Sequence, residues 1–258
     1  MIDPEKIRAL LASHGCNLRV DACATTESTN DDAKKAALAG VTAPALFIAE
    51  EQTRGRGRSG HAWLAARGES VLLSILFRPD LTPADSANVT LAVGVAVSDV
   101  VERYAPKRVR VKWPNDVLLD DKKLAGILVE AQTRGERLSS LVVGVGVNVH
   151  ATQFSPDLES IATSFAIAGL EPRDRSEVAA ALAVAIVEAV SRFCRDGLAG
   201  FLDVLRARDA LIGTEVEVLG VRGTASGIDD EGRLLVRDAS GRDVSIASGH
   251  VIRLPPID

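Results

Sequence analysis

The chain has few of the residues from which disulfide frameworks and metal sites are built. Its 258 residues include three cysteines, at Cys16, Cys23 and Cys194, and four scattered histidines without an H-E-x-x-H pair. An odd number of widely spaced cysteines fits neither a disulfide framework nor a zinc site. We therefore expect a reducing, cytoplasmic location and no histidine-ligated metal chemistry.

Signals for export and membrane insertion are also missing. The first residues lack the basic and apolar pattern of a signal peptide, and no apolar run reaches the roughly 20 residues that a membrane-spanning helix needs. The formal net charge of -5 argues against a general nucleic-acid binder. A hydrophobic content of 47% with 25% charged residues is typical of a globular chain with a buried core. We expect neither a membrane nor DNA as a partner.

The order of apolar and turn-forming segments indicates an α+β fold. Short apolar runs separated by turns between residues 108 and 149 predict a meander of hairpins, and hence a mixed, largely antiparallel sheet. Helical spacing of apolar residues predicts flanking helices, including one that starts near Pro83 and one over residues 176–195. After Gly213 five short strands suggest a small β-barrel. We divide the chain into a large domain, residues 1–210, and a small C-terminal domain, residues 211–258.

A polar loop rich in glycine and arginine joins two apolar strands. No apolar side chain lies between Thr53 and Gly60, so the loop alone is expected to be mobile. Its three arginines, at positions 54, 56 and 58, repel one another unless an anion lies among them. The loop is thus either a lid over a negatively charged ligand or an ordinary solvated connection.

The same loop matches the dinucleotide-binding pattern G-x-G-x-x-G at residues 55–60. That pattern binds a pyrophosphate where it opens a helix after a strand. Here a further glycine, Gly68, interrupts the chain before the strand-like residues 71–77. A strand in place of a helix disfavours a dinucleotide-dependent oxidoreductase.

Four other segments place polar residues or glycines among apolar ones. Ser-Thr-Asn at 28–30 begins a predicted helix, where capping explains at least one of the three residues. Lys-Trp-Pro-Asn-Asp at 112–116 breaks a strand at its proline, as a plain turn or as part of a site. Period-two alternation places Lys123 on the face of Ala125 and Ile127, where it needs an anionic partner unless that face is in solvent. Gly-Val-Gly-Val-Asn at 144–148 leaves room for a ligand against the backbone.

Taken in order, these segments resemble the catalytic core of the biotin protein ligases. The resemblance rests on Ser28-Thr29-Asn30, Gln52 through Trp63, Lys112 through Asp116, Lys123 through Leu128 and Gly144 through Asn148. It implies a fold like that of class II aminoacyl-tRNA synthetases and biotin ligases, with an SH3-like C-terminal barrel. It also implies an enzyme that uses ATP and Mg²⁺ to activate biotin to biotinyl-5'-AMP, releases pyrophosphate, and transfers biotin to a lysine of a biotin carrier domain.

The resemblance assigns an expected role to individual residues. Lys123 and Arg58 are expected to stabilise the charge of the mixed anhydride, and Asp116 to assist deprotonation of the acceptor lysine. The residues expected to bind biotin are Ser28, Thr29, Asn30, Gln52, Arg56, Gly57, Arg58, Lys123, Gly126 and Gly144. Those expected to bind ATP or the adenylate are Arg58, Trp63, Asn115, Lys123 and Asn148. Protein ligands of Mg²⁺ are not identifiable from the sequence.

The family contains both DNA-binding and other members, and it has a close rival. Only about twenty residues precede the first motif, too few for an N-terminal DNA-binding domain, so the resemblance implies a ligase that is not a repressor. The expected partner is the biotin carrier domain of a carboxylase, and the expected state is a monomer or weak homodimer. A lipoate-protein ligase and a non-catalytic biotin or adenylate sensor are alternatives. The basic loop and the segment 112–116 favour biotin, whereas Lys123 and Arg58 favour catalysis.

Overall fold

A computed structural model describes residues 1–135, 137–171 and 173–254. The elements in chain order are α1 (Pro4–Ser13), β1 (Arg19–Cys23), α2 (Thr29–Leu38), β2 (Ala45–Ala49), β3 (Ser70–Phe77), α3 (Asp85–Glu102), β4 (Val109–Lys112), β5 (Asp116–Leu119), β6 (Lys122–Arg134), β7 (Arg137–Asn148), α4 (Pro156–Glu159), α5 (Arg175–Asp196), α6 (Leu202–Ala207), β8 (Glu215–Val218), β9 (Val221–Ile228), β10 (Leu234–Arg237), β11 (Asp243–Ile246) and β12 (Ile252–Arg253). Within these ranges, no helix combines the length and apolar character that crossing a membrane requires.

The large sheet has seven strands in the order β1-β2-β3-β7-β6-β5-β4. β1 and β2 are parallel, and every other pair is antiparallel. The turn between β5 and β6 places Asp120 and Asp121 at φ values of 50° and 59°, the left-handed conformation that tight hairpins require and that aspartate tolerates. The predicted mixed, largely antiparallel sheet is therefore confirmed.

The two faces of this sheet are covered differently. On one face α1, α3 and α5 pack over the main apolar core, where Gly94 of α3 lies against Val111 and Ile127. On the other face α2 covers β2, β3 and β7 through a second cluster of Ala33, Ala37, Ala45, Phe47, Leu76 and Val142. The helices thereby leave the part of this face over β6, β5 and β4 to loops and to the C-terminal sheet.

A buried ion pair holds the start of the glycine- and arginine-rich loop. Glu50 Oε2 lies 2.8 Å from Arg175 Nη2, and the two side chains are only 7% and 5% exposed. Burial raises the pKa of the Glu50 carboxyl, but donation from the Ile2 N–H and from Arg175 outweighs it and holds the pKa below its ordinary value. The loop therefore leaves the sheet from a fixed point.

The C-terminal strands form a five-stranded antiparallel sheet in the order β11-β10-β9-β8-β12. Among the residues that the structure describes, β11 and β12 do not pair with each other, so the expected small SH3-like barrel is observed as an antiparallel sheet that does not close. Trp113 donates its indole N–H to the carbonyl of Gly232 over 3.0 Å. This bond docks the C-terminal sheet beside the end of β4.

Candidate active site

An open cavity of about 670 Å³ lies on the sheet face that the helices leave uncovered. Its other walls come from seven residues between Gln52 and Trp63, from Leu158, Ser160 and Ile161, and from four residues between Gly249 and Arg253 of the C-terminal unit. Thirteen of the fourteen residues predicted for the site line this cavity: Ser28, Thr29, Asn30, Gln52, Arg56, Gly57, Arg58, Trp63, Asn115, Asp116, Lys123, Gly126 and Gly144. Segments far apart in the chain thus form one site.

Uncharged donors and acceptors line the end of the cavity next to α2. The backbone N–H and the hydroxyl of Thr29 both donate to Gln52 Oε1, over 2.8 and 2.9 Å. Ser74 of β3 donates its hydroxyl to Asn30 Oδ1 over 2.6 Å. Ser28 occupies the N-cap position, yet its side chain makes no capping hydrogen bond. Capping therefore does not explain Ser28, and this end of the cavity suits a neutral polar group.

The glycines of β6 and β7 provide space for protein side chains. A Cβ atom at Gly144 would collide with the side chain of Asn30. Gly126 and Gly146 face each other across the β6–β7 ladder, and a Cβ at Gly146 would lie 2.5 Å from the Trp63 ring. The sequence predicted that these glycines leave space for a ligand. In this conformation Asn30 occupies the space beside Gly144, and the Trp63 indole occupies the space beside Gly126 and Gly146.

Lys123 lines the cavity and forms an ion pair. Its Nζ atom is 2.7 Å from Asp116 Oδ1. A Cβ at Gly126 would lie 3.4 Å from that same Nζ atom, so Lys123 shares the face of Gly126. The predicted placement of Lys123 on the face of Ala125 and Ile127 is wrong. The pairing of β5 with β6 shifts register between Val117 and Leu118, and this irregularity turns Lys123 toward the cavity.

Arg58 is the second predicted cation of the cavity wall. Burial lowers the pKa of its guanidinium, and the negative charge of Asp116 partly opposes that effect. Within the described part of the chain Arg58 forms no ion pair. Arg58 and Lys123 therefore both lie within electrostatic reach of one carboxylate, and both can meet an incoming anion.

Arg56 is neutralised by acidic side chains. Its Nη2 atom lies 2.7 Å from Asp31 Oδ1 and 2.9 Å from Glu130 Oε2. Lys34 and Asn30 bond to the same Glu130 carboxylate. Burial raises the pKa of Glu130, but these hydrogen bonds outweigh it and hold the pKa below its ordinary value. The loop, expected to be mobile, is thus fastened to α2 and β6 through Arg56.

The two predicted nucleotide-binding asparagines differ in their positions. Asn115 lines the cavity and donates its amide to the Ile127 carbonyl over 3.1 Å. Asn148 is 5% exposed, does not line the cavity, and donates its amide to the Thr163 carbonyl over 3.0 Å. The position of Asn115 is thus compatible with nucleotide binding, whereas the position of Asn148 does not support it.

Several cavity residues were not singled out from the sequence. Lys112 lay within a recognised segment without a role, and no signal marked His250 or Arg253, because they follow that segment by more than 130 residues. The rings of His61 and His250 stack with centroids 5.6 Å apart. Burial lowers the pKa of His250, as do the charges of Lys112, His61 and Lys123, while Asp116 opposes them. The C-terminal unit thus touches the loop at the cavity mouth.

The described residues that line the cavity form no acidic cluster of the kind that holds a resident metal ion. Across residues 1–135, 137–171 and 173–254, no group of three or more histidine, cysteine or acidic side chains could bind one. Of the cavity acids, Asp116 is held by Lys123, and Asp121 lies 3.5 Å from Arg110. The Mg²⁺ that the resemblance implies stays an expectation, and no protein ligand within these ranges is assigned to it.

Known proteins share both units of the chain. The model of the Biotin/lipoate A/B protein ligase family matches residues 22–148, and that of the Biotin protein ligase C terminal domain matches residues 211–254. The structure of biotin protein ligase from Aquifex aeolicus in complex with biotin and ATP superposes with a TM-score of 0.78 and 26% identity. That superposition covers 92% of this chain and 99% of the other.

Curated relatives agree over most of the chain. A biotin--[acetyl-CoA-carboxylase] ligase of Mycobacterium tuberculosis is 35% identical over 264 residues, which cover 98% of this chain and 96% of that protein. The bifunctional ligase/repressor BirA of Bacillus subtilis is 34% identical over 202 residues, which cover 76% of this chain. This chain spans 62% of the length of that relative. The chain therefore belongs to the biotin/lipoate A/B protein ligase family, and within it to the biotin protein ligases.

Proposed function

We propose that the chain is an ATP-dependent biotin protein ligase. It activates biotin to biotinyl-5'-AMP with release of pyrophosphate, and then transfers biotin to a specific lysine in the biotin carrier domain of a carboxylase. The observation that carries this proposal is the joining, in one cavity, of an uncharged hydrogen-bonding end and the cations Lys123 and Arg58. The first suits the head of biotin, and the second suits an acyl phosphate.

In the first half-reaction a carboxylate oxygen of biotin attacks the α-phosphorus of ATP. The bond from that phosphorus to the bridging oxygen breaks, and pyrophosphate leaves with the electron pair. Because two anions must approach, preorganised positive charge is the main catalytic requirement. Lys123 and Arg58 supply it, and Lys123 exchanges Asp116 for the phosphate. Trp63 covers the adenine, and Asn115 contacts the nucleotide.

In the second half-reaction the acceptor lysine attacks the acyl carbon. The bond from that carbon to the phosphate oxygen breaks, AMP leaves, and the amine loses a proton. A free lysine has a pKa near 10.4, so a proton acceptor is needed. Once the phosphate has drawn Lys123 away, the Asp116 carboxylate is available for this proton.

The uncharged end of the cavity favours biotin over lipoate. Biotin carries a ureido group with two N–H donors and a carbonyl acceptor, whereas the dithiolane ring of lipoate has neither. We assign Ser28, Thr29, Asn30 and Gln52 to the ureido group. Gly126 and Gly144 lack side chains and so leave space for the ligand and for the side chains around it. Because Arg56 is held by Asp31 and Glu130, we assign the contact of this part of the loop with biotin to its backbone and to Gly57.

Mass spectrometry of a carrier domain incubated with the protein, ATP and biotin tests the proposal. We expect the mass of one biotinyl group to be added to one lysine, and no addition when lipoate replaces biotin. Lys123→Gln should abolish the reaction. The neighbouring Lys122, which bonds to the Glu159 carbonyl outside the cavity lining, supplies the matched control Lys122→Gln. No labelling by the wild type, or equal labelling with lipoate, would refute the proposal.

Several expectations from the sequence remain predictions alongside it. These are the domain division at residues 210 and 211, the cytoplasmic location, the lack of DNA binding, and the state of a monomer or weak homodimer. The sensor alternative is tested by the same experiment, because a non-catalytic sensor would bind biotin without labelling the carrier.

A further inference from the structure

Lys112 is a cavity-lining lysine to which the reaction steps above give no role. It is the last residue of β4, the edge strand of the large sheet, and it pairs in register with Asp116 of β5. The preceding residue, Val111, faces Gly94 of α3, so the alternation of the strand turns Lys112 toward the cavity. Lys112 therefore presents its ammonium group to the site.

The charge of Lys112 has no counter-ion in the described residues. The nearest carboxylate along the ladder, Asp116, is engaged by Lys123. Burial lowers the pKa of Lys112, and the positive charges of Arg253 and Lys123 lower it further, while Asp116 opposes them. A partly buried cation without a partner costs free energy in the unliganded protein. Such a residue is well suited to an anionic ligand, which would supply the missing charge.

The position of Lys112 in the sheet indicates which anionic group of the substrates it can bind. β7, with Gly144 at the uncharged end, is followed by β6 with Lys123, then by β5, then by β4 with Lys112. Neighbouring strands are about 4.8 Å apart, so Lys112 lies about 14 Å from the uncharged end. Of the groups beyond the reacting α-phosphate, adenosine is neutral and gains nothing from a cation. The β- and γ-phosphates are the anionic ones.

We propose that Lys112 binds the pyrophosphate leaving group of adenylation, with Arg253 of the C-terminal sheet beside it. This inference rests on the proposed ligase function. Arg253 lines the same cavity. Its guanidinium is held in place by a hydrogen bond that it donates to the Ala210 carbonyl over 2.8 Å. The C-terminal unit thereby serves the first half-reaction through charge, and Lys112 has no part in the second.

Biotin-dependent exchange of labelled inorganic pyrophosphate into ATP measures this binding directly. Lys112→Gln is expected to raise the KM for pyrophosphate by about tenfold or more, the effect of losing one hydrogen bond between charged groups. Lys112→Arg should restore much of the affinity, because it keeps the charge. Arg253→Gln should raise the same KM and serves as a second, independent variant. Lys35→Gln, at an exposed position on α2, is the matched control and should behave as the wild type.

Transfer from preformed biotinyl-5'-AMP to the carrier domain separates this role from a structural one. Lys112→Gln should transfer at the wild-type rate, because pyrophosphate takes no part in that step. A KM for pyrophosphate that is unchanged in both variants would overturn the inference, as would an equal loss in both half-reactions. If the wild type catalysed no exchange, the proposed ligase function itself would fail.

Discussion

The ammonium of Lys123 lies 2.7 Å from Oδ1 of Asp116, and the two residues come from neighbouring strands whose register shifts between them. In the proposed mechanism this pair holds Lys123 in place for the phosphate. It also masks the Asp116 carboxylate until a phosphate competes for the lysine. Under that proposal a single ion pair would couple the two half-reactions.

Asp116→Asn tests that coupling. An amide cannot accept the proton of the acceptor lysine, so we expect transfer from preformed biotinyl-5'-AMP to slow by about 10²- to 10⁴-fold. Adenylation should slow much less, because Lys123 remains. Single-turnover measurements of each half-reaction separate the two effects. An equal loss in both would mean that Asp116 acts only by holding Lys123.

Arg58→Gly should release the intermediate. Without the guanidinium the adenylate loses a charge contact and part of its cover, so biotinyl-5'-AMP escapes and labels bystander lysines. Biotinylation of an unrelated added protein, detected by mass spectrometry, measures the escape. Arg54→Gly is the control from the same loop, because Arg54 is 75% exposed and pairs only loosely with Glu27, at 3.4 Å. Bystander labelling no higher than in that control would contradict the role of Arg58.

Gly146→Ala should displace the indole of Trp63. The added methyl group would lie 2.5 Å from the ring, which is closer than two non-bonded carbon atoms can approach. We expect a shift in tryptophan fluorescence and a raised KM for ATP, with folding retained. Replacing Trp63 by alanine in the same background removes the collision, so the fluorescence difference between glycine and alanine at position 146 should then vanish. Its persistence in the double variant would place the effect elsewhere.

Acidic pH should weaken the contact of the C-terminal unit with the loop. The pKa of His250 is lowered in the folded protein, chiefly by burial, so the unfolded chain takes up the proton first, near pH 6.5. The stability that this group contributes is present above pH 6.5 and is lost as the pH falls through the lower folded pKa. Protonation would add charge beside Lys112, His61 and Lys123, an effect that the charge of Asp116 opposes.

Urea unfolding of wild type and His250→Phe between pH 8 and pH 5 measures this effect. Phenylalanine keeps a ring to stack on His61 but cannot take up a proton. The free energy of unfolding of the wild type should therefore fall more steeply on acidification than that of the variant. Parallel curves for the two proteins would show that His250 does not carry the effect.

The sequence was informative wherever the determinant is local. The hairpin meander, the start of α2 at the Ser-Thr-Asn segment and the break at Pro114 all follow from side-chain periodicity and backbone chemistry within a few residues. The ordered motifs also predicted thirteen of the residues that meet in the cavity. The sequence could not reveal which face of the sheet Lys123 lies on. One irregularity in strand pairing reverses the inward and outward alternation of side chains along β6.

The amino-acid sequence by itself determined the elements, their order and the chemical groups available to the site. Only the tertiary structure decided which groups neutralise each other. Arg56 is held by Asp31 and Glu130, whereas Lys112 lies against a C-terminal unit that begins about 100 residues later. The physical reason is that the spacing of apolar residues depends on which side of a segment faces solvent and which faces the core. A charged side chain instead interacts with whichever partner the fold brings within a few ångströms.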